Sequence, residues 1–271
     1  MIVCLGTPAG SSVGDVFLSD GNSIAEFDFE SEAGMYTWEV DAISHLWQQW
    51  FWYRLGAAGG EVSLDTLPLV GGPLTSDTNS DGNDDAVSLT YNGVGLNVEM
   101  RFVLVGGEPN SHTSTIYETI TITNVGQDTL DLHFFQYADF DLWDDAEYDS
   151  VEILGDPKNT AVQWEGPYYM AETVATGASE SPTHYEAGTG VDSPNSIWER
   201  LTDGSPTTLT DFAGPLEDID AVWAFQWDKT LAPDGTLVIS KAKNITPEPA
   251  TLALMGGGMA MALVARQRRK R

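Results

Sequence analysis

Between residues 12 and 243 the apolar positions recur every second residue, and sustained helical spacing is scarce. The clearest run is Leu96, Val98, Met100, Phe102 and Leu104, alternating with Asn97, Glu99 and Arg101, a pattern that buries one face of a strand and wets the other. Residues 85–91 form a strand before it. The intervening Tyr91-Asn92-Gly93-Val94 predicts a tight hairpin turn, because Asn-Gly accepts positive φ at both turn positions. Residues 115–124 place Ile116, Ile120 and Ile122 on one face and threonines on the other, which predicts another strand. Val125-Gly126-Gln127-Asp128 then turns the chain into Leu130, Leu132 and Phe134, continuing into an aromatic and acidic run over 135–143. Residues 221–228 and 235–241 are expected to pair across Pro233-Asp234-Gly235, whose proline and glycine preset the turn angles.

Many short strands, punctuated by 27 glycines and 13 prolines, predict an all-β fold, an antiparallel two-sheet β-sandwich. No internal repeat of fixed period is present. Residues 177–195 are rich in Ser, Thr, Gly and Pro and read as a loop or a domain boundary, but strand-like segments resume beyond them. One large domain over 12–243 is therefore expected, serving as an ectodomain.

The C-terminus breaks the pattern. Residues 250–265 form a 16-residue uncharged stretch, followed by Arg266-Gln267-Arg268-Arg269-Lys270-Arg271. A spanning helix needs about 20 apolar residues, with about 17 as a lower limit, and Gly256-Gly257-Gly258 weakens this one. A single C-terminal transmembrane helix over 250–265 is expected, with 266–271 as a basic cytoplasmic tail under the positive-inside rule. The body then lies on the outer side of the membrane. Residues 244–249 form the linker and contain Pro247-Glu248-Pro249, whose two prolines favour an extended segment that a protease can read.

A Pro-Glu-Pro triplet, an apolar helix and an arginine-rich end together resemble the tail of PEP-CTERM proteins of Gram-negative bacteria, over residues 247–271. The resemblance implies that exosortase, a multi-spanning membrane protease, recognises Pro247, Glu248 and Pro249 and removes the tail. It implies an exported protein held in the inner membrane before processing and found afterwards at the cell surface or in the extracellular matrix. It also implies an association with exopolysaccharide or biofilm. The other end is short for an exported protein: Met1-Ile2-Val3-Cys4-Leu5 has no cation and few apolar positions, so residues 1–11 are read as the remnant of a truncated signal peptide.

Charge sharpens this location. The formal net charge is −29, yet five of the twelve basic residues crowd into the last six positions, and residues 1–246 carry 7 basic against 40 acidic groups, a net of −33. Such a body repels nucleic acid and anionic headgroups and favours divalent cations or neutral and cationic partners. Cys4 is the only cysteine, so neither an intramolecular disulfide nor a thiolate zinc cluster can form.

Three segments carry candidate chemistry. Asp77, Asn79, Asp81, Asn83 and Asp85, with Gly82 at the sixth position, place oxygen donors at alternate residues, which suits calcium, and the segment resembles the loop of EF-hand and dockerin-like sites. Its twelfth position is Ser88 rather than glutamate, and a solvated acidic turn is the competing reading. Asp139, Asp141, Asp144, Asp145, Glu147 and Asp149 could furnish the two carboxylates of a polysaccharide-active enzyme, although the alternation with Phe140 and Leu142 equally suits a solvent-facing strand. Trp47, Trp50 and Trp52 could stack on sugar rings as a carbohydrate-binding surface, with core packing the commoner fate of such residues. His45, His112, His133 and His184 show no metal-ligand spacing, and no nucleophile elbow, P-loop or dinucleotide fingerprint is found. The sequence therefore points to a non-enzymatic surface protein first, and to a carbohydrate-binding module or polysaccharide-active enzyme second.

Overall fold

The structure is a computed structural model describing residues 14–175, 180–191 and 193–247. In chain order its strands are β1 (Val16–Asp20), β2 (Ser23–Asp28), β3 (Gly34–Val40), β4 (Ile43–Ser44), β5 (Gln48–Leu55), β6 (Val62–Ser63), β7 (Leu69–Ser76), β8 (Ala86–Gly93) and β9 (Leu96–Gly106). They continue as β10 (Ser114–Asn124), β11 (Leu130–Asp139), β12 (Asp149–Leu154), β13 (Thr160–Glu165), β14 (Tyr168–Val174), β15 (His184–Thr189), β16 (Leu216–Ile219), β17 (Ala221–Leu231) and β18 (Thr236–Pro247). One short helix, α1 (Ile197–Thr202), lies between β15 and β16.

Two sheets result. The first runs β1-β2-β3-β5-β11-β17-β15, with β4 on β3 and β6 on β5, and the second runs β16-β12-β13-β14-β18-β10-β9-β8-β7. Among the described residues the strands pair antiparallel except for a short parallel contact of β3 with β5, and Glu186 forms an isolated parallel bridge with Phe212. The predicted antiparallel two-sheet fold is what the chain adopts. Period-two strands put Phe51, Phe134, Phe225 and Trp227 on the inner face of the first sheet, opposite Ile116, Ile120, Leu237 and Ile239 of the second. Phe27 meets Phe102 across the sheets at 5.0 Å, and Phe51 stacks on Phe134 at 5.5 Å.

The centre of the first sheet is buried on both faces, which is why β5, β11 and β17 lack alternation. Trp50, Trp52 and Tyr137 point outward but are covered by the 3-10 turn Leu64–Thr66, by α1 and by residues 203–215. That cover is fastened by polar contacts: Trp50 Nε1 donates to Ser63 Oγ at 3.0 Å, Leu209 N to Gln226 Oε1 at 2.9 Å, and Arg54 Nε to Glu61 Oε1 at 2.9 Å.

Several local expectations shift. The hairpin turn falls on Val94-Gly95, both at positive φ, with Gly93 opposite Leu96, rather than on Asn92-Gly93. The two registers differ by an even number of residues, so the apolar face is unchanged, and the longer pairing lets Asn92 Nδ2 donate to Asn97 Oδ1 at 3.1 Å. Strands β17 and β18 do not form a hairpin across Pro233-Asp234-Gly235, because they belong to different sheets. The turn is an inter-sheet corner tied by buried Asn124, whose Nδ2 donates to the carbonyls of Asp128 and Leu231, each at 2.8 Å. Strand β18 also runs four residues beyond 243, through Pro247, which pairs with Tyr168. Residues 244–247 are therefore part of the sheet and not a free linker.

Among the described residues no helix is long and apolar enough to cross a membrane. The expected spanning helix over 250–265, the basic tail, Glu248 and Pro249, and the signal remnant over 1–11 lie outside the described residues.

Candidate functional site: an acidic cleft beside Trp47

The outward face of the first sheet ends in a cleft where β5 starts and β11 finishes. Gln48 stands directly opposite Asp139 in the ladder, so the two side chains share that face. The Trp47 N–H donates to the Asp139 carbonyl at 3.1 Å, which fixes the tryptophan at the mouth with 49% of its surface exposed. Asp220 precedes β17 and closes the floor. A Cβ at Gly190 would overlap the Asp220 carboxylate, so only glycine at 190 leaves that group where it is.

Asp139, Asp141 and Asp220 each offer an oxygen, and these three atoms lie within 4.8 Å of one another. They line a hollow of about 260 Å³ together with Trp47, Ala146 and Val191. Trp47 is also a wall of a neighbouring hollow of about 300 Å³, whose other walls include Glu32, Gln48 and Trp198. Gln48 is 5% exposed; its Nε2 donates to the Glu32 carbonyl at 2.6 Å, and its Oε1 has no hydrogen-bond partner. Trp198 is placed by α1, whose N-cap Ser196 accepts from Glu199 N at 3.1 Å while the Glu199 side chain accepts from Asn195 N at 2.6 Å. The sequence signal for this cap is Ser196-Ile197-Trp198-Glu199, a serine followed three residues later by glutamate.

The electrostatics are those of carboxylates crowded away from water. Burial raises Asp139 well above the usual range, and Asp220 and Asp141 add to it against the Tyr137 hydroxyl, which donates to Asp139 Oδ2 at 2.8 Å. Burial, then Asp220, Asp144 and Asp145, raise Asp141 to about 6. Behind Asp141 two further acids are perturbed. Asp149 is pushed up to about 9, by burial first, with Gln163 opposing and Glu165 and Asp141 adding; Glu165 is pushed up to about 7 by burial, Asp145 and Asp141. The loop from Asp141 to Asp149 holds Trp143, Asp144 and Tyr148 at positive φ, an unusual conformation for aromatic residues that re-aims the chain over the cleft.

The structure brings together some of the expected residues and separates others. Asp139 is 3% exposed, not on a solvent-facing strand, because β11 is covered on its outer face. Asp144, Asp145 and Glu147 are exposed and Asp149 is buried in β12. The tryptophan row does not form a stacking surface: Trp50 and Trp52 are each 1% exposed under the covering layer, and Trp47 alone reaches solvent. Asp220, Gln48 and Trp198 join the cleft without any sequence signal linking them to Asp139, since they come from elements distant along the chain.

The loop carrying Asp77, Asn79, Asp81 and Asn83 lies between β7 and β8, away from the cleft. Asp77 accepts from the N–H groups of Ser80 at 2.6 Å and Gly82 at 2.9 Å, which together with other backbone donors keep it below the usual carboxylate range. Asp85 is buried and accepts from Thr78 N and Oγ1, so its oxygens are already engaged.

Fold and cleft define a two-sheet antiparallel β protein with an acid-lined, tryptophan-flanked depression. Residues 246–270 match the family model described as the PEP-CTERM protein-sorting motif, so the chain carries that sorting signal at its C-terminus. The motif implies export, a C-terminal membrane anchor before processing, and processing by exosortase. No curated protein sequence matches the chain. Among solved structures it is similar to a bacterial glucoamylase complexed with acarbose, at 8% identity and a TM-score of 0.57, over 88% of this chain and 32% of the glucoamylase. A polysaccharide lyase (10% identity, TM-score 0.45, 85% of this chain and 33% of the lyase) and a galactose mutarotase-like protein from Lactobacillus casei ATCC 334 (10%, 0.42, 87% and 100%) are also similar. The chain thus spans about a third of the glucoamylase and of the lyase, and the glucoamylase likeness concerns fold alone.

Proposed function

We propose that this chain is a cell-surface or matrix protein that binds extracellular polysaccharide in the cleft around Trp47, after export and removal of its tail. The observation that carries the reading is Trp47 itself: a half-exposed indole shared as a wall by two adjacent hollows, with hydrogen-bond acceptors on either side. Aromatic faces stack on sugar rings, and carboxylates and amides accept sugar hydroxyls. Affinity electrophoresis through gels containing bacterial exopolysaccharide tests it. The parent chain is expected to be retarded and Trp47→Ala to migrate freely; equal migration of both with and without polysaccharide refutes the reading. Pro247, Glu248 and Pro249 are the residues exosortase reads, and Glu248→Ala is expected to leave the unprocessed chain in the membrane fraction.

A second reading, a polysaccharide-active enzyme, is favoured by one observation. Asp139 and Asp141 form a carboxyl pair in the cleft whose members are held at raised proton affinity, as an acid catalyst needs. It requires release of reducing ends by the parent, lost in Asp141→Asn while binding persists.

A further inference from the structure

We propose that the cleft selects polysaccharide carrying free amino groups, a hexosamine polymer whose ring lies on Trp47 and whose ammonium is held by Asp139, Asp141 and Asp220. The inference rests on the glycan reading above and specifies which glycan.

The geometry of the three acids supports an ammonium. A primary ammonium points its three N–H bonds tetrahedrally, and acceptors at about 2.8 Å along them stand about 4.6 Å from one another. One oxygen from each of the three carboxylates lies within 4.8 Å of the other two, close enough for a single ammonium to reach all three acids. A calcium ion takes about six to eight oxygens at about 2.4 Å. One oxygen of Asp139 is already engaged by the Tyr137 hydroxyl, so the three acids alone leave that shell incomplete.

An independent feature points to a ligand in the adjoining hollow. Gln48 is buried yet leaves its amide oxygen without a partner, and the residue lines the space between Trp47 and Trp198. A buried acceptor left unmade is costly, and a sugar hydroxyl reaching it would supply the missing donor. Gln48 and Asp139 are cross-strand neighbours, so a ring seated against Trp47 can address both at once. A lysine side chain would satisfy the acids but brings no second donor for Gln48. The energetic direction agrees: burial and the neighbouring carboxylate of Asp220 raise the proton affinity of Asp139 and Asp141, and a positive charge among them offsets that cost of ionisation. The overall charge of −29 attracts a polycation to the surface but does not place it.

The full chain in detergent is titrated calorimetrically with four probes: a fully deacetylated glucosamine oligomer, its N-acetylated counterpart, a neutral glucan oligomer of equal length, and poly-lysine. The glucosamine oligomer is expected to bind at least tenfold more tightly than the acetylated one. Asp141→Asn and Asp220→Asn are expected to erase that preference by weakening the glucosamine oligomer at least tenfold more than the acetylated one, and Gln48→Leu to weaken both alike. Asp81→Asn, on the distant loop, is expected to change nothing. Equal affinity for amine and acetyl forms, dependent on Trp47, overturns the amine assignment and leaves glycan binding standing. Binding of none of the three oligosaccharides sinks both. Poly-lysine binding as tight as the glucosamine oligomer, or an effect of Asp81→Asn equal to that of Asp141→Asn, assigns the attraction to bulk charge and overturns the proposal. Circular dichroism confirms that each variant is folded, and removal of a crowded carboxylate works in its favour.

Discussion

Glu118 in the sandwich interior and Asp139 in the cleft are both almost wholly removed from water, and their surroundings treat them oppositely. Around Glu118 the second sheet turns Lys241, Lys243 and Glu172 inward as well, so two acids meet two lysines. Lys241 lies 3.2 Å from both Glu118 and Glu172, Lys243 bonds Glu118 and Gln49, and Gln136 links Glu172 at 2.8 Å. Burial alone would raise Glu118, but the pull of Lys241 and Lys243 outweighs it and the net shift is downward. Around Asp139 burial dominates, only the Tyr137 hydroxyl opposes it, the charged neighbours that act are the carboxylates of Asp220 and Asp141, and the shift is upward. A balanced set of buried charges is a fastener between sheets; a one-signed set is an invitation to a counter-charge. The contrast is the physical reason for seeking a ligand in the cleft and none in the core.

The largest effect expected from breaking this contrast is at Lys241. Lys241→Met removes the cation that pairs with both acids, leaves Glu118 with Lys243 and Glu172 with Gln136, and is expected to cost about 3–5 kcal/mol. The urea midpoint should fall at unchanged slope. Glu118→Gln combined with Lys243→Met removes one charge of each sign, keeps Lys241 with Glu172, and should cost less than Lys241→Met alone. A double variant that is as damaging would mean that packing, not charge balance, holds the quartet.

Tryptophan substitutions sharpen the comparison from the apolar side. Trp50→Ala empties a site closed by the covering layer and should lose about 3–5 kcal/mol, whereas Trp47→Ala should stay within about 0.5 kcal/mol and lose polysaccharide retention instead. Comparable losses from thermal or urea unfolding would place Trp47 in the core and remove the basis for a binding cleft.

A smaller and opposite effect is expected behind the cleft. Burial pushes Asp149 up to about 9 in the folded state, against about 3.8 for an ordinary aspartate, so between those values the folded state binds more protons than the unfolded chain. Stability from this group is therefore complete at the acid end, falls as pH rises through the window, and is gone above it. Asp149→Asn has no proton to lose and is expected to gain on the order of 2–4 kcal/mol at pH 7, with the advantage shrinking towards pH 4. A variant that is no more stable than the parent at pH 7 contradicts the burial argument.

Much of the fold was legible because period-two strands report their own faces. Strands β9 and β10 and the two-sheet architecture followed from alternation alone. The same alternation places Lys241 and Lys243 in phase with Leu237, Ile239 and Ile245, so both point inward. Sheet membership was not legible, since β17 and β18 are joined by a turn that suits a hairpin as well as a corner, and only partners far along the chain decide between them. The cleft was half legible. Asp139, Asp141 and Trp47 stood out as residue types, but Trp50 and Trp52 looked equivalent to Trp47 until the covering layer separated them, and Asp220 and Gln48 acquire meaning only through strand register.

The smallest effect concerns the other acidic concentration, the loop bearing Asp77, Asn79, Asp81 and Asn83, which the proposal of a calcium site places in competition with the cleft. Its backbone N–H groups already turn towards Asp77, so the loop is preshaped and its remaining lone pairs face solvent. Asp85 is committed to Thr78, and Ser88 stands where a bidentate glutamate would close an EF-hand shell, leaving too few anionic oxygens for tight binding. Millimolar calcium is accordingly expected to raise the melting temperature by a few degrees at most, through mass action on a weak site. Asp81→Ala should abolish the rise, and Asp141→Asn should leave it intact. If instead Asp141→Asn abolishes it and Asp81→Ala does not, the ion is in the cleft, the ammonium assignment there loses its footing, and the loop is only a solvated turn.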